Sequence, residues 1–195
     1  MKKLAVFFPG IGYTPDKPLL YYSRDLMAEL GFEEIVLRYS GFPEKKPGDA
    51  NNAALAYQIA LSQSEEQLAE ADFAAYDDIV FIAKSIGTAA AAEIASKSPF
   101  REKIRLILYT PLVETFSVPF GEAVVFTGTC DPWVGKKDSP IPTLCAERKI
   151  PCHIIEGGNH SLETDDVFEN MKILQGVIHT AEEFCVARLL FMESM

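Results

Sequence analysis

A chain of 195 residues, 48% of them hydrophobic, is long enough to bury roughly 70% of its unfolded surface in one domain without disulfides or a structural metal. Its 28 acidic against 18 basic residues give a formal charge of −10, a field that repels phosphate backbones and anionic lipid and, with no basic run to offset it, argues against nucleic acid as a partner. No apolar stretch approaches the roughly 20 residues of a membrane span, so no membrane partner is expected either.

Met1-Lys2-Lys3 before an apolar run imitates the start of a secretory signal, but Pro9-Gly10-Ile11-Gly12 ends the run at once and no small-residue cleavage site follows. The four cysteines, at 130, 145, 152 and 185, contain no C-x-x-C pair, so neither a zinc site nor a dithiol redox motif is expected. They read as free thiols of a reducing compartment, and the expected location is cytoplasmic.

In chain order, Leu4 to Phe8 reads as a buried strand closed by a Gly/Pro turn. Asp16 offers an N-cap and Pro18 a first turn for a helix to about Leu30, with Leu19, Tyr22, Leu26 and Leu30 at helical spacing and Gly31 as its stop. Residues 34–39 form a second strand, 41–48 a polar loop, and 49 to about 72 an Ala/Leu/Gln/Glu-rich helix. The unbroken apolar run Ile79 to Ala83 has the character of a strand inside a parallel sheet. An Ala-rich helix over 86–97 follows, then strands at 105–109, 123–128 and 153–156. A helix is expected near Thr143 and another from Thr164 onward. This alternation predicts a mostly parallel sheet of about six strands with helices on both faces, in one domain over 1–195. The apolar segment 181–195 is expected to pack on the sheet, a homodimer contact being the alternative.

The most informative stretch is Ala83-Lys84-Ser85-Ile86-Gly87, where a buried strand runs directly into a small-residue helix. A serine at such a corner is the context of a nucleophile elbow, G-x-S-x-G, whose flanking small residues let strand and helix nearly touch. Ala83 replaces the first glycine at the cost of one methyl group. The other reading of Ser85 is an ordinary helix N-cap. Lys84 reads as a solvated lysine beside the pocket, or as a group favouring an anionic substrate.

Downstream, the strand 124–128 ends in Thr129-Cys130-Asp131-Pro132-Trp133, and 154–156 ends in Gly157-Gly158-Asn159-His160-Ser161. A carboxylate and an imidazole just past the carboxyl ends of strands lie where open parallel sheets place their sites. Taken singly, Asp131 reads equally as an Asp-Pro turn and His160 as a solvated loop histidine. Of the other histidines, His153 falls on a strand and His179 on a helix, and both read as structural. Trp133 either lines a pocket or packs on its rim. The loop Pro9-Gly10-Ile11-Gly12 invites a dinucleotide-binding reading, but Pro15 stands where that fingerprint needs a third glycine. No cofactor or metal is expected.

Ser85, Asp131 and His160 occur in the order Ser…Asp…His, and with Phe8-Pro9-Gly10-Ile11-Gly12 these segments resemble the α/β-hydrolase superfamily, in its small, lidless, carboxylesterase- or dienelactone hydrolase-like branch. The resemblance covers nearly the whole chain. It departs from the family where Pro9-Gly10 replaces the His-Gly pair that often follows the first strand. It implies Ser85 as nucleophile, His160 as base and Asp131 as acid, with the backbone amides of Ile86 and Ile11 as oxyanion donors. Only 13 residues, 110–122, lie where larger members insert a lid, which implies an open site and a small ester, thioester or lactone as substrate. The competing reading is a catalytically silent domain of the same fold that binds a ligand or protein.

Overall fold

The computed structural model describes residues 1–43 and 50–192. Its strands are β1 (Lys3–Phe8), β2 (Glu33–Val36), β3 (Asp78–Lys84), β4 (Ile104–Tyr109), β5 (Ala123–Gly128) and β6 (Cys152–Ile155), and its α-helices are α1 (Pro18–Glu29), α2 (Ala50–Leu68), α3 (Ile86–Lys97), α4 (Ile141–Arg148) and α5 (Val167–Met192). All six strands pair in parallel, in the order β2-β1-β3-β4-β5-β6. The chain leaves β1 toward one edge and then crosses to β3 and builds the other way. Between β1 and β3 the connections diverge to opposite sides, the switch point at whose carboxyl ends open parallel sheets place their sites.

Alternation along each central strand sorts its side chains into two apolar layers. Ile79, Phe81 and Ala83 of β3 face Ala60 of α2, Ala90–Ala92 of α3 and Cys145 of α4, while Val80 and Ile82 face Leu20 and Met27 of α1 and Val177, Ala181 and Cys185 of α5. Both faces of the sheet are thereby covered, and every residue of β3, β4 and β5 is buried. Alanines on the inner face of α3 let that helix lie close on the strands, which brings its first turn to the sheet edge.

Several element ends differ from the sequence reading, each for a local reason. Helix α1 is capped by Lys17 rather than Asp16, with no side-chain cap and Pro18 supplying the helical φ of the first turn. Its buried face is Leu19, Leu20, Ser23, Leu26 and Met27, whereas Tyr22 is exposed. Helix α2 stops at Leu68, because Asp72 accepts the amide of Ala74 and starts a short 3-10 turn instead. Helix α5 begins at Val167, its free first amides being taken by Asp166 Oδ1, which accepts from Phe168 and Glu169. The expected helix start at 49 and most of the loop 41–48 lie outside the described residues. The side chains of Leu189, Leu190 and Phe191 lie outside them too, but Ala181 and Cys185 pack on the sheet as expected of that segment. The connection 110–122 holds one short 3-10 helix, Val113–Ser117, and no lid domain. Among the described residues no helix is long and apolar enough to cross a membrane.

At the amino ends of the strands the sheet is tied to α5 by a buried ion pair. Arg105 donates from Nε and Nη2 to the two carboxylate oxygens of Asp78, at 3.2 and 2.7 Å, with both side chains fully buried. Its Nη1 donates to the carbonyl of Phe184 at 2.8 Å. Removing one member leaves an uncompensated charge in the core, whereas exchanging both for apolar groups does not. Asp78→Ala is therefore expected to lower the unfolding free energy by about 3–5 kcal/mol in urea titration, and the double exchange Asp78→Leu with Arg105→Met to cost less than that single change.

Candidate active site

Strand β3 passes into α3 through a single residue, Ser85, with φ 56° and ψ −123°. A non-glycine residue with positive φ stores about 1–3 kcal/mol of strain, which here points the hydroxyl out of the sheet edge rather than along the helix. Ser85 occupies the N-cap position yet makes no side-chain cap, so the N-cap reading does not describe its hydroxyl. The turn is possible because Gly87 has no side chain. A Cβ there would stand 2.5 Å from the carbonyl oxygens of both Phe8 and Pro9, so β1 and α3 meet backbone to backbone. The Ser85 amide is held by the carbonyl of Tyr109 at 3.1 Å, which fixes the corner to β4.

The structure brings Ser85, Asp131 and His160 together from three strand ends. Ser85 Oγ lies 2.7 Å from His160 Nε2, and His160 Nδ1 lies 2.7 Å from Asp131 Oδ2. A carboxylate only accepts, so Nδ1 carries the imidazole proton and Nε2 accepts from the serine hydroxyl. Asp131 is fully buried and the imidazole is mostly so. The other Asp131 oxygen accepts the amide of Trp133 at 2.9 Å. Asp131 is thus at once the turn former its Asp-Pro sequence suggests and the partner of His160.

The loops bearing the acid and the base are themselves joined. Cys130 N–H donates to the Gly158 carbonyl at 2.9 Å and Thr129 N–H to that of Ile155 at 3.0 Å. The Gly157 amide returns a bond to Thr129 Oγ1 at 2.8 Å. A Cβ on Gly128 would fall 2.0 Å from the Gly158 carbonyl oxygen, so only glycine permits this approach. Thr110, at φ 42°, donates from Oγ1 to the His160 carbonyl at 3.1 Å and holds the histidine loop from the β4 side.

Of the two residues whose amides the sequence names as oxyanion donors, Ile86 follows Ser85 directly and Ile11 lies in the loop after β1. Ile86 is the first residue of α3, where helix amides have no intrahelical acceptor. Ile11 lies at the tip of a tight turn closed by Gly10 and Tyr13, whose amides and carbonyls bond reciprocally at 3.1 and 3.2 Å. A Cβ on Gly10 would be 3.2 Å from Ser85 Cβ, so this turn packs directly on the elbow.

Lys84 departs from expectation. It is 1% exposed, neither solvated nor open to an anionic substrate, because the strand alternation turns it into the α1/α5 layer. Its Nζ sits 4.9 Å from the ring centroid of Tyr13. Trp133 is 39% exposed and its ring lies 5.8 Å from that of His160. His153 stacks on Phe126 at 5.1 Å and His179 faces Glu182 and Glu183 on the surface of α5; neither joins the cluster. Gly128 and Thr110, which set the loops, carry no motif. Among the described residues no group of three or more His, Cys, Asp and Glu is placed to hold a metal ion.

No protein-family model matches the sequence, and no curated protein is recognisably similar to it. Solved structures are similar along nearly its full length. Thermogutta terrifontis esterase 2 shares 18% identity at a TM-score of 0.60, over 95% of this chain and 83% of that one; the same esterase has also been solved phosphorylated by paraoxon. An esterase of Pyrococcus furiosus shares 11% identity at a TM-score of 0.62, over 94% and 82% of the two chains. An alpha-beta serine hydrolase homologue from Coxiella burnetii shares 14% identity at 0.55, over 92% and 84%. Strand order, helices on both sheet faces and this end-to-end likeness identify the chain's architecture as the α/β-hydrolase fold.

Proposed function

We propose that the chain is a serine hydrolase that cleaves a small ester-like bond, an ester, thioester or lactone, through an acyl-enzyme intermediate. The observation that carries this reading is the unbroken relay Ser85 Oγ–His160 Nε2 and His160 Nδ1–Asp131 Oδ2, both at 2.7 Å, in which the serine is strained into place and does no capping. A structural serine at a helix start needs neither feature.

In this mechanism Ser85 Oγ attacks the acyl carbonyl as its proton passes to His160 Nε2. Asp131, buried against Nδ1, stabilises the imidazolium that forms and keeps the ring in the productive tautomer. The negative charge that develops on the carbonyl oxygen is taken by the amides of Ile86 and Ile11, preorganised donors that cost no reorganisation at the moment of reaction. His160 then returns the proton to the leaving group. The same base activates the water that attacks the acyl carbonyl and releases Ser85. The absence of a lid domain over 110–122 leaves the acyl group without a cover, which favours short acyl chains. Trp133, exposed beside the imidazole, forms an apolar wall for them. Phosphorylation of a neighbour in fold by paraoxon indicates the kind of probe that suits this site.

Incubation with a fluorophosphonate probe, read by mass spectrometry, is expected to label Ser85 in the wild type and nothing in Ser85→Ala or His160→Ala. With p-nitrophenyl acetate and butyrate, kcat is expected to fall by about 10⁶ in Ser85→Ala and His160→Ala, with the acetate preferred by the wild type. Asp131→Asn, which keeps the shape but reverses the preferred tautomer, is expected to lose about 10⁴ in kcat. A wild type that takes no label and cleaves neither ester would overturn the hydrolase reading in favour of a catalytically silent binding domain.

A further inference from the structure

The residue before Ser85 is a lysine, 1% exposed, in a layer built mostly of apolar side chains, where an ammonium is harder to bury than an aliphatic side chain of similar volume. Leu or Met would serve the packing of β3 better. Among the lysine's contacts there is the face of Tyr13, with Nζ 4.9 Å from the ring centroid. Burial pushes the Tyr13 hydroxyl well above its ordinary pKa, so the partner is a neutral aromatic ring. A desolvated cation over such a ring is attracted to its negative face.

Tyr13 is more than a core aromatic. It closes the two-residue turn whose tip is Ile11, through reciprocal bonds with Gly10 at 3.1 and 3.2 Å. Its hydroxyl accepts the Leu19 amide of α1 at 3.0 Å, which fixes the far end of the ring. Lys84 grips the near side from β3, one residue before the nucleophile and two before Ile86. The turn bearing one proposed oxyanion donor is thereby joined by a side-chain contact to the strand that leads into the other donor. Oxyanion donors act only when held 2.7–3.1 Å from where the charge develops, and displacements of half an ångström are felt.

We propose that Lys84 is a positioning residue, its ammonium over the Tyr13 ring setting the spacing between the Ile11 and Ile86 amides around the oxyanion. This rests on the serine-hydrolase reading. A contact of this kind acts on the transition state and leaves substrate binding alone, so it governs kcat and not KM.

The test uses the full chain and p-nitrophenyl acetate, with Lys84→Met, Tyr13→Leu, Tyr13→Phe and the Lys84→Met/Tyr13→Leu double variant, each checked for a cooperative thermal transition. Lys84→Met and Tyr13→Leu are each expected to lower kcat by about 10–100-fold, below the loss from deleting an oxyanion donor outright, with KM within twofold of the wild type. The double variant is expected to fall no further than the worse single, because both remove the same contact. Tyr13→Phe, which keeps the ring, is expected to recover most of what Tyr13→Leu loses. A kcat within twofold of the wild type in Lys84→Met, a loss carried by KM, or losses that multiply in the double variant would each overturn the proposal. So would a loss in Lys84→Met with none in Tyr13→Leu, which would make the lysine a direct electrostatic contributor. Turnover by the wild type that vanishes in Ser85→Ala keeps the hydrolase reading standing in all of these cases. Its absence would remove that reading and this proposal together.

Discussion

The site depends on a steric fact at one corner: β1 and α3 touch through their backbones at Gly87, with no room for a methyl group. This contact forces the chain from β3 to α3 within a single residue, and Ser85 absorbs the bend at φ 56°. The strain is local, but what keeps it in place is not. All of β3 is buried between β1 and β4, and α3 is pinned by its alanine face, so relaxing the corner would disturb the centre of the sheet. The strained serine is thus a by-product of close packing that the relay with His160 and Asp131 puts to use.

The two ends of the sheet do different work. At the amino ends, Asp78 and Arg105 join β3, β4 and α5 in a closed ion pair with carbonyl acceptors behind it. At the carboxyl ends, loops supply Asp131, His160 and the turn of Ile11, and the corner from β3 to α3 supplies Ser85 and Ile86. The topological switch between β1 and β3 lies at this end, where the connections leave in opposite directions. Rigidity at one end allows the loops at the other to be placed by a few bonds, such as those from Thr110 and Cys130.

Much of this was legible in the residues because the fold depends on coarse patterns. Continuous apolar runs at 79–83 and 105–109 mark strands covered on both faces, and the small residues Ala83 and Gly87 around Ser85 mark a corner. The order of Ser85, Asp131 and His160 along the chain placed them at strand ends, and the sheet brings those ends together. What escaped depends on neighbours distant in sequence. Lys84 is a rim lysine by its residue type and a buried one by strand alternation against α1 and α5. Thr110 and Gly128 carry no motif, because what they contact, His160 and Gly158, lies 50 and 30 positions away. Tyr22 fits the helical period of α1 but falls outside a face set by Leu20, Ser23 and Met27.

The backbone contact of Gly128 with Gly158 has a mechanical consequence. Because the loops of Asp131 and His160 are in van der Waals contact and cross-linked by the bonds from Thr129 and Cys130, a displacement of one loop has to be transmitted to the other, so acid and base are built as one jaw. Ser85 stands across the gap from that jaw, at the corner between β3 and α3, and Thr110, whose Oγ1 holds the His160 carbonyl from the end of β4, ties the jaw to the neighbouring strand.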